Sequence, residues 1–89
     1  MTRLHFVVHG RVQGIGYRWF VVEKAAALSL TGWVRNNPDG TVEAEAEGSA
    51  EDVARFAEAL KSGHPYARVT RIAAAERPAK GGAGAFEIV

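Results

Sequence analysis

The sequence predicts an α+β fold of the ferredoxin-like kind, βαββαβ, with two helices on one face of an antiparallel sheet and a short extra C-terminal strand. Three observations predict it. Thr41 to Glu47 alternate polar and apolar side chains without a break, the period of a half-buried strand. Val53, Phe56, Ala57 and Leu60 recur at the spacing of a helix that packs on one side. Between the first strand and the first helix stand three glycines within seven residues, Gly10, Gly14 and Gly16, which break the strand before any helical pattern begins. The chain has 89 residues, 47% of them hydrophobic and 24% charged, enough for one core, so a single domain over 1–89 is expected.

The first strand runs from Leu4 to Val12, with Leu4, Phe6, Val8 and Val12 on one face and His5, Val7, His9 and Arg11 on the other. Tyr17, Val21, Ala25 and Leu28 then mark one face of a helix, which Leu30-Thr31-Gly32 is expected to end. Trp33 to Asn36 reads as a short strand. Asn37-Pro38-Asp39-Gly40 suits a type I turn, with Gly40 at the positive φ of a hairpin bulge. On the returning strand Val42, Ala44 and Ala46 face inward and Glu43, Glu45 and Glu47 outward. Ser49 is a candidate N-cap for the second helix, which Gly63 closes. His64-Pro65 is a loop, Ala67 to Glu76 a strand with Val69 and Ile72 as its larger apolar members, Pro78 to Gly84 a glycine-rich loop, and Phe86-Glu87-Ile88 the extra strand.

Composition narrows the function. Eleven Lys and Arg against ten Asp and Glu leave a formal charge of +1, which argues against whole-surface attraction to nucleic acid or anionic membrane, so an anion site has to be local. The absence of Cys excludes disulfides, thiol catalysis and thiolate metal sites and is compatible with a reducing compartment. No apolar run approaches the roughly 20 residues of a membrane span, and His5 and His9 come too early for a signal-peptide core. A soluble, unprocessed cytoplasmic protein is the expectation.

In this topology the first two strands run in the same direction, so their C-terminal ends share one edge. There the segment from His9 to Arg18 meets the hairpin that begins at Asn36. Glycines let successive N–H groups point into one concavity, and a helix start adds unpaired donors and a positive dipole end. Arg18 stands at the mouth, with a guanidinium able to bind two phosphate oxygens side by side. Glycine spacing alone also fits a tight turn with no ligand, and the segment is neither GxxxxGK[ST] nor a dinucleotide GxGxxG in a parallel unit.

The wording of the segment adds more. GRVQGIGYR resembles the first signature of the acylphosphatase family, V-x-G-x-V-Q-G-V-x-[FY]-R, through Val8, Gly10, Val12, Gln13, Gly14, Tyr17 and Arg18, with Ile15 in place of Val. The second signature, G-[FYW]-[AVC]-[KRQAM]-N-x(3)-G-x-V-x(5)-G, is met by Gly32, Trp33, Val34, Arg35, Asn36, Gly40, Val42 and Gly48. The resemblance implies a metal-free, cofactor-free hydrolase of acyl phosphates. In it Arg18 and the loop amides of Gln13, Gly14, Ile15, Gly16, Tyr17 and Arg18 bind phosphate, and Asn36 positions the attacking water. It further implies a small-molecule acyl phosphate as substrate, inorganic phosphate or sulfate as inhibitor, and a monomer with no nucleic-acid or membrane partner.

Outside the motifs, His9, His64-Pro65-Tyr66 and Gly81-Gly82-Ala83-Gly84 could alter substrate entry without altering the chemistry. His5 and His9 are expected to find charge partners in the Glu43, Glu45 and Glu47 row across the sheet, and His64 is a lone loop histidine. Trp33 and Phe86 read as sheet packing, and Trp19 lies either at the site or in solvent. An RNA-binding module of the same fold class is disfavoured, because Phe6 faces inward and the third strand presents three outward glutamates. A ligand-binding module without turnover would keep the anion cradle, and so would the acylphosphatase-like domain of a larger carbamoyl-phosphate-using maturation protein.

Overall fold

The computed structural model describes residues 1–81 and 84–89, so the centre of the expected glycine-rich loop, Gly82-Ala83, lies outside the described residues. The element order is β1 (Thr2–Arg11), α1 (Tyr17–Ala27), β2 (Thr31–Asn36), β3 (Val42–Gly48), α2 (Ala50–Ser62), β4 (Arg68–Arg77) and β5 (Phe86–Ile88). They form one sheet in the order β4-β1-β3-β2-β5, with both helices packed on the same face. β1 pairs antiparallel with β3 and with β4, and β2 pairs antiparallel with β3. The added strand departs from the all-antiparallel expectation, since β5 lies parallel to β2, with Phe86 opposite Gly32 and Ile88 opposite Val34. The sheet is therefore mixed.

The inward faces read from the alternation form the core. Phe6 and Val8 of β1, Val34 of β2, and Val42, Ala44 and Ala46 of β3 meet Tyr17, Val21 and Ala25 of α1 and Val53, Phe56 and Leu60 of α2. Phe56 lies 5.7 Å from both Phe6 and Phe86, centroid to centroid, so the extra strand closes the core as well as the sheet edge. On β4, Val69 and Ile72 are three residues apart yet both pack on the core. A bulge allows it: His9 stands opposite Arg71 and Gly10 opposite Val69, leaving Thr70 unopposed. No helix among the described residues is long and apolar enough to cross a membrane.

The boundary after α1 differs from the expectation. The helix ends at Ala27, ahead of the expected Leu30-Thr31-Gly32, and Ser29, at φ 55°, takes a left-handed turn. Leu30 is the reason: its side chain is buried, and its N–H donates back to the Ala25 carbonyl at 2.9 Å, which brings the chain straight into β2. Gly32 thus lies inside the strand, at φ 144°, where a Cβ would overlap the carbonyl oxygen of Glu45 on β3. It permits close strand approach and does not stop the helix.

The open face of the sheet carries ion pairs. His5 meets Glu43 at 2.6 Å, Arg35 reaches the same carboxylate at 2.8 Å, and Arg3 meets Glu45 at 2.6 Å and Glu47 at 3.4 Å. Trp33 lies among them, edge-on to His5 and under the Arg35 guanidinium. The expected outward glutamate row is therefore neutralised, and Glu47 is buried beneath the segment after β4, where the Lys80 amide donates to it at 2.6 Å. That amide and Arg3 hold its carboxyl below the usual carboxylate range. His9 corrects another expectation. β1–β3 pairing stops at Val8, so His9 passes the glutamate row and meets Arg71 of β4 at 3.2 Å.

Candidate active site

The loop between β1 and α1 is anchored at two points and free in the middle. Val12 is buried in the core, and the side-chain amide of Gln13 donates to the carbonyls of Asn37 and Thr41, at 2.8 and 2.9 Å, in the β2–β3 hairpin. The hairpin is stiff in its own right. The Asn37 amide donates to the Thr41 carbonyl and the Gly40 amide to the Asn37 carbonyl, with Gly40 at φ 92° as expected for the bulge. Asp39 accepts from the hydroxyl and the amide of Thr41, bonds that hold its carboxyl below the ordinary value, with a smaller contribution from the charge of His9.

Beyond Gln13 the chain passes through Gly14 and Gly16 at φ 77° and 76°, left-handed conformations in which other side chains are strained. Gly16 is the N-cap of α1 and offers no capping side chain; the first turn carries no acid, and Phe20 is the first residue whose amide bonds back, to the Gly16 carbonyl at 3.1 Å. The amides of residues 14–19 meet no acceptor among the described residues. An N-terminus without its own capping oxygen is a set of N–H donors for an anion.

Arg18 and Asn36 face the same small cleft, of about 90 Å³, which Gly14, Gly16 and Tyr17 also line. Arg18 takes no part in the ion pairs among the described residues, which use Arg3, Arg35, Arg55 and His5 as cations. Asn36 comes to the cleft at the end of β2, and its side-chain oxygen is buried with no hydrogen-bond partner among the described residues. A buried acceptor of that kind costs about 1–3 kcal/mol, which marks it as a position awaiting a donor.

Two of the residues expected in the phosphate loop do not line the cleft. Ile15 turns toward the core, and the side chain of Gln13 is committed to the hairpin. Tyr17 is among the residues that line the cleft, while its hydroxyl donates to the Leu60 carbonyl at 2.7 Å and burial pushes its ionisation far up. It therefore stays protonated and is no base. Val12 and Trp19 also line the cleft. Trp19 is both at the site and in solvent, 68% exposed. His64 does not line this cleft; it is set among Tyr17, Phe20 and Tyr66 and accepts from the Tyr66 amide. Among the described residues no three His, Asp or Glu side chains gather as a metal-binding group.

Among the described residues, an unpaired guanidinium, a helix start without a capping side chain and an amide oxygen without a partner stand together at one end of a ferredoxin-like sheet, an arrangement whose chemistry suits a tetrahedral anion beside a second polar ligand. The chain belongs to the acylphosphatase family, whose model matches residues 4–88, and it is thereby an acylphosphatase, a hydrolase. A curated acylphosphatase of Geobacillus thermodenitrificans is 43% identical over 89 residues, covering 100% of this chain and 95% of that one. The crystal structure of acylphosphatase from Bacillus subtilis superposes with a TM-score of 0.94 at 43% identity, covering 100% of this chain and 99% of that one. HypF from T. kodakarensis also matches, with a TM-score of 0.85 at 37% identity, but this chain spans only 12% of it.

Proposed function

We propose that the enzyme hydrolyses the carboxyl–phosphate bond of small acyl phosphates without a metal ion, with Arg18 and the loop amides from Gln13 to Arg18 binding the phosphoryl group and Asn36 positioning water. The observation that carries this reading is the partnerless oxygen of Asn36 in the same cleft as the partnerless Arg18. In-line displacement needs an acceptor for the water and donors around the phosphoryl oxygens, and these groups supply both. Asn36 accepts a hydrogen bond from the water and aims its lone pair at phosphorus. The new P–O bond forms as the P–O bond to the acyl oxygen breaks; the bonding pair leaves with the carboxylate, and the water's proton passes to a phosphoryl oxygen. Arg18 and the amides hold the charge on the equatorial oxygens, and loss of one such preorganised donor costs about 3–4 kcal/mol.

A carboxylate whose parent acid has a pKa near that of Glu, about 4.3, leaves without protonation, so the site needs no general acid. Tyr17, tied to Leu60, would be a poor one. An alkoxide is a far worse leaving group, which gives the test. An acyl phosphate should turn over in excess chelator while an alkyl phosphate monoester reacts far more slowly. Activity lost with chelator and regained with divalent cations would overturn metal independence; equal rates on the two substrates would overturn the leaving-group argument. The same reading has inorganic phosphate or sulfate as competitive inhibitor, and the enzyme acting as a monomer in the cytoplasm, with which a cysteine-free chain is compatible.

A further inference from the structure

We infer that Trp19 is the specificity-determining residue for the acyl half of the substrate, an indole platform that favours aryl and long acyl groups over acetyl; the inference rests on the acyl-phosphate reading above. Size is the first argument. The cleft measures about 90 Å³. A cavity that takes up benzene measures about 150 Å³, so a phosphoryl group and its attacking water leave no room here for an aromatic acyl group. The acyl group must project over the rim.

The rim offers it one apolar surface. Of the side chains lining the cleft, Val12 and Tyr17 are buried, at 1% and 2% exposure, and Gly14 and Gly16 bring no side chain. Arg18 and Asn36 are polar. Trp19 alone combines a large apolar side chain with 68% exposure, and the other exposed large hydrophobics, Met1, Tyr66 and Val89, do not line this cleft. A single exposed tryptophan needs no explanation by itself. Here it directly follows the residue that holds the phosphoryl group, in the first turn of α1, where an acyl group leaving the cleft would cover it. Stacking of two aromatic groups adds about 0.5–1.5 kcal/mol beyond simple burial, and 1.4 kcal/mol is a factor of ten, so discrimination should reach about tenfold.

The test compares benzoyl phosphate with acetyl phosphate on the wild type, Trp19→Ala and Trp19→Phe. Dividing each variant's kcat/KM ratio by that of the wild type cancels the substrates' intrinsic reactivities. Trp19→Ala should lower the benzoyl-to-acetyl ratio about tenfold, mainly through KM for benzoyl phosphate. Trp19→Phe should restore most of the ratio. A ratio in Trp19→Ala within twofold of wild type overturns the inference. Titration with benzoylphosphonate and acetylphosphonate, whose P–C bonds are not hydrolysed, separates the two levels of the argument. If the wild type turns over neither acyl phosphate, the functional reading fails, while a preference for benzoylphosphonate that vanishes in Trp19→Ala still establishes the platform and its absence removes it.

Discussion

Replacing Asn36 by Ala should uncouple activity from stability in a direction that few active-site substitutions take. The buried side-chain oxygen of Asn36 has no partner among the described residues, and an acceptor left unsatisfied in such a position carries a desolvation cost of about 1–3 kcal/mol. Alanine removes that cost and forfeits about 1 kcal/mol of packing by the lost side-chain atoms. The net effect on stability lies between zero and a gain of about 2 kcal/mol. Unfolding entropy of about 2.1 cal/mol/K per residue over 89 residues converts this to a rise in Tm of up to roughly 10 °C. Loss of the water-positioning oxygen should meanwhile lower kcat by about a hundredfold or more, some 2.7 kcal/mol in the barrier, with phosphate affinity within a few-fold of wild type. The assay is turnover of an acyl phosphate, phosphate titration and thermal melting on one preparation. A variant that melts 5 °C or more below wild type, with activity falling in step with the folded fraction, would make Asn36 a structural residue. A variant with unchanged kcat would remove it from the reaction.

Three further outcomes follow from the same geometry. Arg18→Ala should weaken phosphate binding and lower kcat together, because the proposed role has the guanidinium contact the phosphoryl group before and during reaction; a fall in kcat alone, with phosphate affinity unchanged by titration, would contradict the assignment. Inorganic phosphate should raise Tm in the wild type, by about 2.7 kcal/mol of stability at one hundred times its Kd, and much less in Arg18→Ala; equal shifts in both proteins would place the anion elsewhere. His5 first, and Arg35 after it, hold Glu43 below the 4.5 of a free glutamate, so its contribution is complete above that pH and is lost as pH falls through the lower folded value. Glu43→Gln should therefore flatten the acid limb of a Tm-versus-pH curve below about pH 5, and an unchanged limb would refute the coupling.

The elements that alternation and helical spacing announce most clearly, β3 and α2, lie where the sequence puts them, and Ser49 caps α2 by accepting from the Asp52 amide at 3.1 Å. Arg18 and Asn36 were legible through their signatures, and the structure brings them to one cleft. What was hidden depends on contacts distant in sequence. Nothing local says that the Gln13 side chain will reach across to residues 37 and 41, although the glutamine stands in the signature that marks the loop. Glu47 has the period of an outward residue and is outward; the segment around Lys80 covers it, and no periodicity in β3 encodes that lid. His9 misses its expected carboxylate because β1–β3 pairing ends one residue earlier, a matter of register and not of residue type. α1 stops before Leu30-Thr31-Gly32, through a left-handed Ser29, because Leu30 is drawn into the core, an instance of burial overriding local preference.

The strand order carries a consequence for how the chain is made. β1 is interior in the sheet, yet its neighbours are residues 42–48 and 68–77, so during synthesis it emerges before either of its partners. At about 5–20 residues per second, some 66 residues separate β1 from the end of β4, an interval of roughly 3–13 s. Through that time Phe6 and Val8 have no complete core to enter, and the edge of β1 that β4 will cover stays open to any other strand. Because the loop that lines the cleft with Arg18 hangs from the end of this strand, the cleft is assembled only after the most non-local pairings of the sheet have closed.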